Sequence, residues 1–201
     1  MAYRDFHMED LEEKFNIEEK IIELFNPSKI KHIEPSKKLR EDLTDARLIT
    51  LSTEKALSER MVSPILAEMK KLNDDFLQIF SGEIIKADSS IGLNGEIDFL
   101  FSKTPETTKP KNPIFCITEA KIGLIDKAFP QAIAQMIGVR LFNKNKNHEL
   151  AAVHGSVTDG KSWRFLKLEG NNIYIDKNEF ATNELPLLLG VLQEIINFYK
   201  K

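Results

Sequence analysis

The 201-residue chain has one cysteine, Cys116, which excludes an intrachain disulfide and a multi-cysteine zinc site. Cys116 sits in an apolar run with no electropositive partner beside it, so it reads as strand packing rather than a nucleophile. No apolar stretch approaches the roughly 18 residues that would span a bilayer. The opening MAYRDFHMED lacks the apolar centre of a secretory signal. A cytoplasmic protein with no membrane partner is therefore expected. His7, His32 and His148 show no metal-ligand spacing. No glycine-rich loop is present to cradle phosphates, which disfavours a nucleotide-driven enzyme. Strong charge of one sign is also missing, since 31 acids against 28 bases leave a net charge of −3. A dedicated nucleic-acid binder would be more basic. Composition permits nucleic acid without requiring it.

What is present suffices for a core: 42% hydrophobic residues, including 13 Phe, suit a folded domain rather than a disordered chain. The charge is unevenly spread. Residues 1–25 carry eight acids and three bases, a balance of −5, which leaves +2 for residues 26–201. Residues 9–25 read as an amphipathic acidic helix stopped by Pro27. Residues 26–42 read as a Pro-punctuated connector bearing Lys29, Lys31, Lys37, Lys38 and Arg40, either a solvated linker or a phosphate-contacting strip. The expected organisation is thus an N-terminal appendage, 1–42, ahead of a main domain, 43–201.

Within that domain a short strand is expected at Leu48–Leu51. A helix capped by Ser52 or Thr53 runs to about Leu72, divided at Pro64. The period then changes to two. Strands 79–87 and 95–101 flank a turn-rich segment containing Asn94-Gly95, and a polar loop follows over 102–113. Next come an apolar strand, 114–121, and a helix, 127–142, with Asn143 just past its end. Strands 150–157 and 162–168 are joined by Thr158-Asp159-Gly160-Lys161, and a strand at 172–175 and a helix at 185–199 close the chain. This order predicts an α/β (α+β) fold with a central mixed β-sheet flanked by helices.

Glu-x-Lys occurs four times, as Glu12/Lys14, Glu18/Lys20, Glu68/Lys70 and Glu119/Lys121. The first three fall in helical patterns, where residues two apart diverge. Only Glu119 and Lys121 fall on an expected strand, where they share a face. Ile114-Phe115-Cys116-Ile117 before them suggest a strand buried on both faces, and buried charge must be paired, metal-bound or open to a cleft. Asp98 likewise interrupts Ile97-Asp98-Phe99-Leu100-Phe101. If the two strands are neighbours, Asp98 and Glu119 converge. A hard divalent cation would relieve their repulsion, with Lys121 placed to orient a water or to stabilise charge on a phosphate. An internal Asp98–Lys121 salt bridge is the competing structural explanation. Trp163 and His154 read as packing residues, and Arg164 and Lys167 as a strand face able to touch phosphate.

Asp98, twenty intervening residues and Glu119-Ala120-Lys121 resemble the signature of the PD-(D/E)XK nuclease superfamily, with Ile97 where the namesake has proline. The resemblance covers roughly residues 52–157 and implies a restriction-endonuclease-like core. It implies that Asp98 and Glu119 bind Mg²⁺ or Mn²⁺ with the Ala120 carbonyl, and that Lys121 positions the attacking water. It also implies that Gln131 orders the site, that Gln135 stands where relatives often carry tyrosine, and that Glu59 completes the acidic cluster. The implied function is metal-dependent hydrolysis of phosphodiester bonds, with DNA the favoured substrate. The alternative is a catalytically inactive module of the same fold that binds nucleic acid or protein. The acidic 1–25 helix is suited to docking on the basic strip, as a lid or within a homodimer.

Overall fold

The run Ile114–Ala120 is buried at every position, so it needs cover on both faces and a strand on either side. The computed structural model describes residues 1–103, 109–110 and 113–201, and most of the polar loop expected over 102–113 lies outside them. Among the described residues eight strands form one mixed sheet: β1 (Glu18–Ile22), β2 (Gln78–Asp88), β3 (Leu93–Ser102), β4 (Ile114–Ala120), β5 (Val153–Thr158), β6 (Ser162–Glu169), β7 (Asn172–Asp176) and β8 (Phe180–Ala181). Their spatial order is β1-β7-β6-β5-β4-β3-β2, with β8 beside β6. Only β4–β5 and β1–β7 pair in parallel. Parallel neighbours need a crossover, and the helix Phe129–Lys144 supplies it for β4–β5.

The helices are α1 (Met8–Phe15), α2 (Lys37–Ala46), α3 (Glu54–Leu57), α4 (Ser63–Leu72), α5 (Phe129–Lys144) and α6 (Leu185–Lys200). One sheet face packs α5 together with Tyr3, Phe6, Leu11 and Ile17 from the N-terminus. The other packs Leu39, Leu57, Leu66 and Leu188 from α2, α3, α4 and α6. This is the expected α/β sheet between helices. Residues 1–42 are built into both of its faces. A Cβ on Gly138 would collide with the Tyr3 ring, and one on Gly155 with the Met136 side chain, so these two glycines permit the close approach of α5 to its neighbours. Among the described residues no helix is long and apolar enough to cross a membrane.

Four local expectations differ from the structure. The acidic 9–25 segment is a helix only to Phe15. Asn16 adopts a left-handed conformation (φ 52°) that ends the helix, and Glu18–Ile22 joins the sheet as β1. Leu48–Leu51 forms no strand. Asn94-Gly95 lies within β3, under the Tyr3 ring, and the chain turns earlier through Ser89–Ile91 and Gly92 (φ 85°). Asn143 belongs to the last turn of α5. Its side chain both accepts from Ile114 N–H (2.9 Å) and donates to Ile114 C=O (2.6 Å), pinning the start of β4. Thr53 is the expected cap, accepting from Ala56 N–H at 3.1 Å. Between α3 and α4 the helix passes through a π-helical turn, Ser58–Val62, just ahead of Pro64.

Candidate active site

Strands β3 and β4 are antiparallel, with Phe99 opposite Thr118 and Leu100 opposite Ile117. One further step sets Asp98 opposite Glu119. Both lie on the face of Leu100 and Ile117, which pack under α5. The Asp98 carboxylate accepts from Ala120 N–H at 2.8 Å. Glu119 is 3% exposed. The Gln131 amide donates to its Oε1, and the Gln135 amide donates to its Oε2 at 2.7 Å. These glutamines are four apart on α5, so both reach the same carboxylate. Past the end of β4, Lys121 N–H continues the parallel ladder to Thr158 C=O (2.8 Å). Its ammonium lies 3.0 Å from Glu54 on α3.

The electrostatics of this cluster are unrelieved. Burial, with the facing Asp98 charge second, pushes Glu119 up to about 8, against the pull of the Gln135 hydrogen bond and Lys121. Burial also raises Asp98, opposed by the Ala120 N–H and reinforced by Glu54 and Glu96. Two carboxylates that resist ionising sit beside one another, with a lysine close by. Gln135 Oε1 is buried and without a hydrogen-bond partner. Among the described residues no three His, Cys, Asp or Glu side chains gather into a metal-holding group. Mg²⁺ asks for less, because one or two carboxylates commonly hold it while water and substrate phosphate fill the remaining positions. Each Glu119 oxygen accepts one amide proton and keeps a second lone pair free. The donor set fits a hard dication.

The structure brings Asp98, Glu119, Ala120, Lys121, Gln131 and Gln135 together. Glu59 stands apart: it is exposed on the π-helical turn and pairs with Lys55 at 3.9 Å. Glu54 is the helix carboxylate that reaches Lys121, a residue sequence reasoning passed over although the Thr53 cap placed it at the helix start. Arg164 shares the site's face, through the register Glu119, Val157, Arg164. Its guanidinium is committed, however, to Asp176 C=O, to Asp126 (3.2 Å) and to the Phe129 ring. Lys167 lies at the other end of β5, opposite His154, and pairs with Glu169 at 2.9 Å.

Strand placement alone does not single out Glu119/Lys121, because Glu18 and Lys20 also lie on a strand and pair at 3.5 Å. Burial does: every residue of β1 is exposed. Trp163 is fully buried and cannot stack on a base. His154 is a satisfied core histidine, its Nδ1 2.7 Å from the Tyr199 hydroxyl. The basic strip is largely neutralised on α2, where Lys37, Lys38 and Arg40 pair with Glu41, Asp42 and Glu34. No model of a known protein family matches the chain, and no curated protein is significantly similar to it.

Proposed function

We propose that the chain is a divalent-metal-dependent nuclease that hydrolyses phosphodiester bonds, with DNA the favoured substrate. The observation that carries this reading is the convergence of Asp98 and Glu119 on neighbouring strands, both raised in pKa, with Lys121 two residues along. Support also comes from the element order, a helix over 54–72, then β2, β3 and β4, then α5 and the parallel β5, which is the order the PD-(D/E)XK resemblance implies. Asp98 and Glu119 would hold Mg²⁺ or Mn²⁺. The Ala120 carbonyl would join them, since in an extended strand it lies on the same edge as the N–H that reaches Asp98. Bound there, the metal supplies Lewis acidity and neutralises charge on a phosphoryl group.

The chain's own residues perform the rest. Gln131 and Gln135 fix both oxygens of Glu119 by amide donation and so set the direction of its free lone pairs. Lys121 is a compact cation on a flexible stem, able to pass from Glu54 to a water or to a developing phosphate charge. The same Lys121–Glu54 pair is what favours the second reading, a non-catalytic binding module. One experiment separates the two. Plasmid, single-stranded DNA and RNA are incubated with the protein, Asp98→Ala and Lys121→Ala, with Mg²⁺ or Mn²⁺. Metal-dependent cleavage lost in both variants is expected. Cleavage that survives both substitutions defeats the assignment. In a calorimetric titration the nuclease is expected to bind Mg²⁺ or Mn²⁺ in a manner lost in Asp98→Ala, and no metal binding selects the module.

A further inference from the structure

Directly beyond Lys121 the chain enters the wall of a cleft of about 980 Å³ formed by the loop after β4, the β5–β6 hairpin, the C-terminal end of α2 and helix α3. Pockets of about 300–1,000 Å³ bury whole small ligands, so it has room for a nucleotide unit. Its floor is aliphatic: Leu43, Leu51, Leu57 and Met61. Its two cations, Arg47 and Lys161, are exposed and make no ion pair among the described residues. That sets them apart from Lys37, Lys38 and Arg40 on α2, each held by an acid. The one acid in the lining, Asp159, is engaged in its own turn, where it accepts from the N–H groups of Lys161 (2.9 Å) and Ser162 (2.8 Å). The wall is fixed as well: a Cβ on Gly160 would strike Leu57, so the hairpin tip rests directly on α3.

We propose that this cleft takes an unpaired nucleic-acid strand next to the scissile phosphate, with Arg47 and Lys161 on its phosphates and a base against the aliphatic floor. The inference rests on the nuclease reading and narrows its substrate class. Free cations in a concave site fit a polyanion. An apolar floor distinguishes strand from duplex, because a duplex keeps its base faces stacked inside whereas a single strand offers them. Exposed Ile49 and Ile122 at the rim, 45% and 47% accessible, extend that apolar surface.

The test is fluorescence anisotropy in EDTA, where no metal is available for cleavage, with a labelled single strand and a blunt duplex of the same sequence. Full-length protein is compared with Arg47→Ala/Lys161→Ala and with Ile122→Asp. All three side chains are exposed, and a thermal melt verifies folding. The double variant is expected to bind the single strand about tenfold more weakly. It should also flatten the slope of log K against log salt by about 1.4, two phosphates at about 0.7 each. Ile122→Asp is expected to weaken the same complex, with duplex binding changed in neither. An unchanged slope, or equal losses on duplex and single strand, overturns the cleft assignment even if Asp98-dependent cleavage is found. Single-strand binding through Arg47 and Lys161 without any cleavage sustains the cleft and overturns the nuclease. A protein that binds no nucleic acid overturns both, and selective capture of a protein ligand by the cleft counts against it in the same way.

Discussion

At one end of the β4–β5 ladder Cys116 lies opposite His154, and three steps along Glu119 lies opposite Val157. Both ends bury titratable groups, yet their bonding differs. The histidine Nδ1 meets the Tyr199 hydroxyl at 2.7 Å, and that hydroxyl donates to Ala152 C=O at 3.0 Å. Burial holds His154 down to about 3, and it stays neutral. Here a closed polar network sits inside an apolar core, which rigidifies it. At the other end, Glu119 has two amide donors and still faces a second carboxylate that burial also disfavours as an anion. Hydrogen bonds alone leave that charge unresolved. A protein keeps such an arrangement where a ligand completes it, at a cost in the stability of the empty state.

The largest expected effect breaks the carboxylate end. Asp98→Ala and Glu119→Ala should each lower metal-dependent cleavage by roughly 10³-fold or more, since removing mere supports of a metal ligand already costs about 10–100-fold. Each should cost the metal-free protein no more than about 1–3 kcal/mol, because Ala120 N–H or the Gln131 and Gln135 amides lose their acceptor while a disfavoured buried carboxyl is removed. Steady-state cleavage beside a chemical melt measures the two together. A stability loss matching the activity loss would make the cluster structural. The mirror experiment is Tyr199→Phe, which strands the His154 Nδ1 and deprives Ala152 C=O of its donor. It should cost about 1–3 kcal/mol in denaturant unfolding and leave activity per folded molecule unchanged.

The two ends should also bend the pH–stability curve in opposite directions. His154 has a folded pKa below its ordinary 6.5, so its contribution is complete above that value and is lost as pH falls toward 3. Between pH 6.5 and 5 the loss is roughly 1.5 kcal/mol, and His154→Gln should remove that limb. Glu119 has a folded pKa raised from 4.5 to about 8, so in the metal-free protein its contribution is complete below 4.5 and is lost as pH rises through 8. Glu119→Gln should remove that alkaline limb, and Mg²⁺ should offset it in the wild type. Melting temperature across pH, with and without Mg²⁺, reads both limbs. Limbs of the same sign would dissolve the contrast.

The carboxylate end was legible from sequence because a strand has period two and because charge next to Phe and Ile is costly enough to demand a partner. Asp98, Glu119 and Lys121 carry both signals. The sheet's middle was legible for the same reason, as was the Thr53 cap. Its edge was not. Glu18–Ile22 is exposed at every position, so no alternation marks it, and only its register with β7 makes it a strand. Asn94-Gly95 misled because turn propensity is local, whereas the fit of Tyr3 over Gly95 is tertiary. Glu59 followed from the resemblance, which asks for an acid on the helix before β2 without fixing its turn, and only the folded chain shows that Glu54, at the start of that helix, is the carboxylate reaching Lys121. Arg47 and Lys161 look like any surface cations in sequence. They are notable only because folding leaves them without an acid partner among the described residues.

The smallest expected effect probes the tie between the helix layer and the carboxylate end. Glu54 and Lys121 are 3.0 Å apart with side chains 47% and 34% exposed, so the pair adds little to stability, about 0–1 kcal/mol. Glu54→Gln should therefore leave the melting curve almost unmoved. Its kinetic effect depends on what the pair does. If Glu54 restrains Lys121 near the phosphate path, releasing it should lower kcat by less than about tenfold with KM unchanged, because the cation then searches more rotamers before meeting the transition state. If Glu54 instead withholds Lys121 from substrate, kcat should rise by a similar factor. Lys121→Met, which removes the cation, must then abolish activity on either account. A variant that is inactive as Glu54→Gln and still active as Lys121→Met would invert the roles, making the helix carboxylate part of the metal-binding set and the lysine its counter-ion.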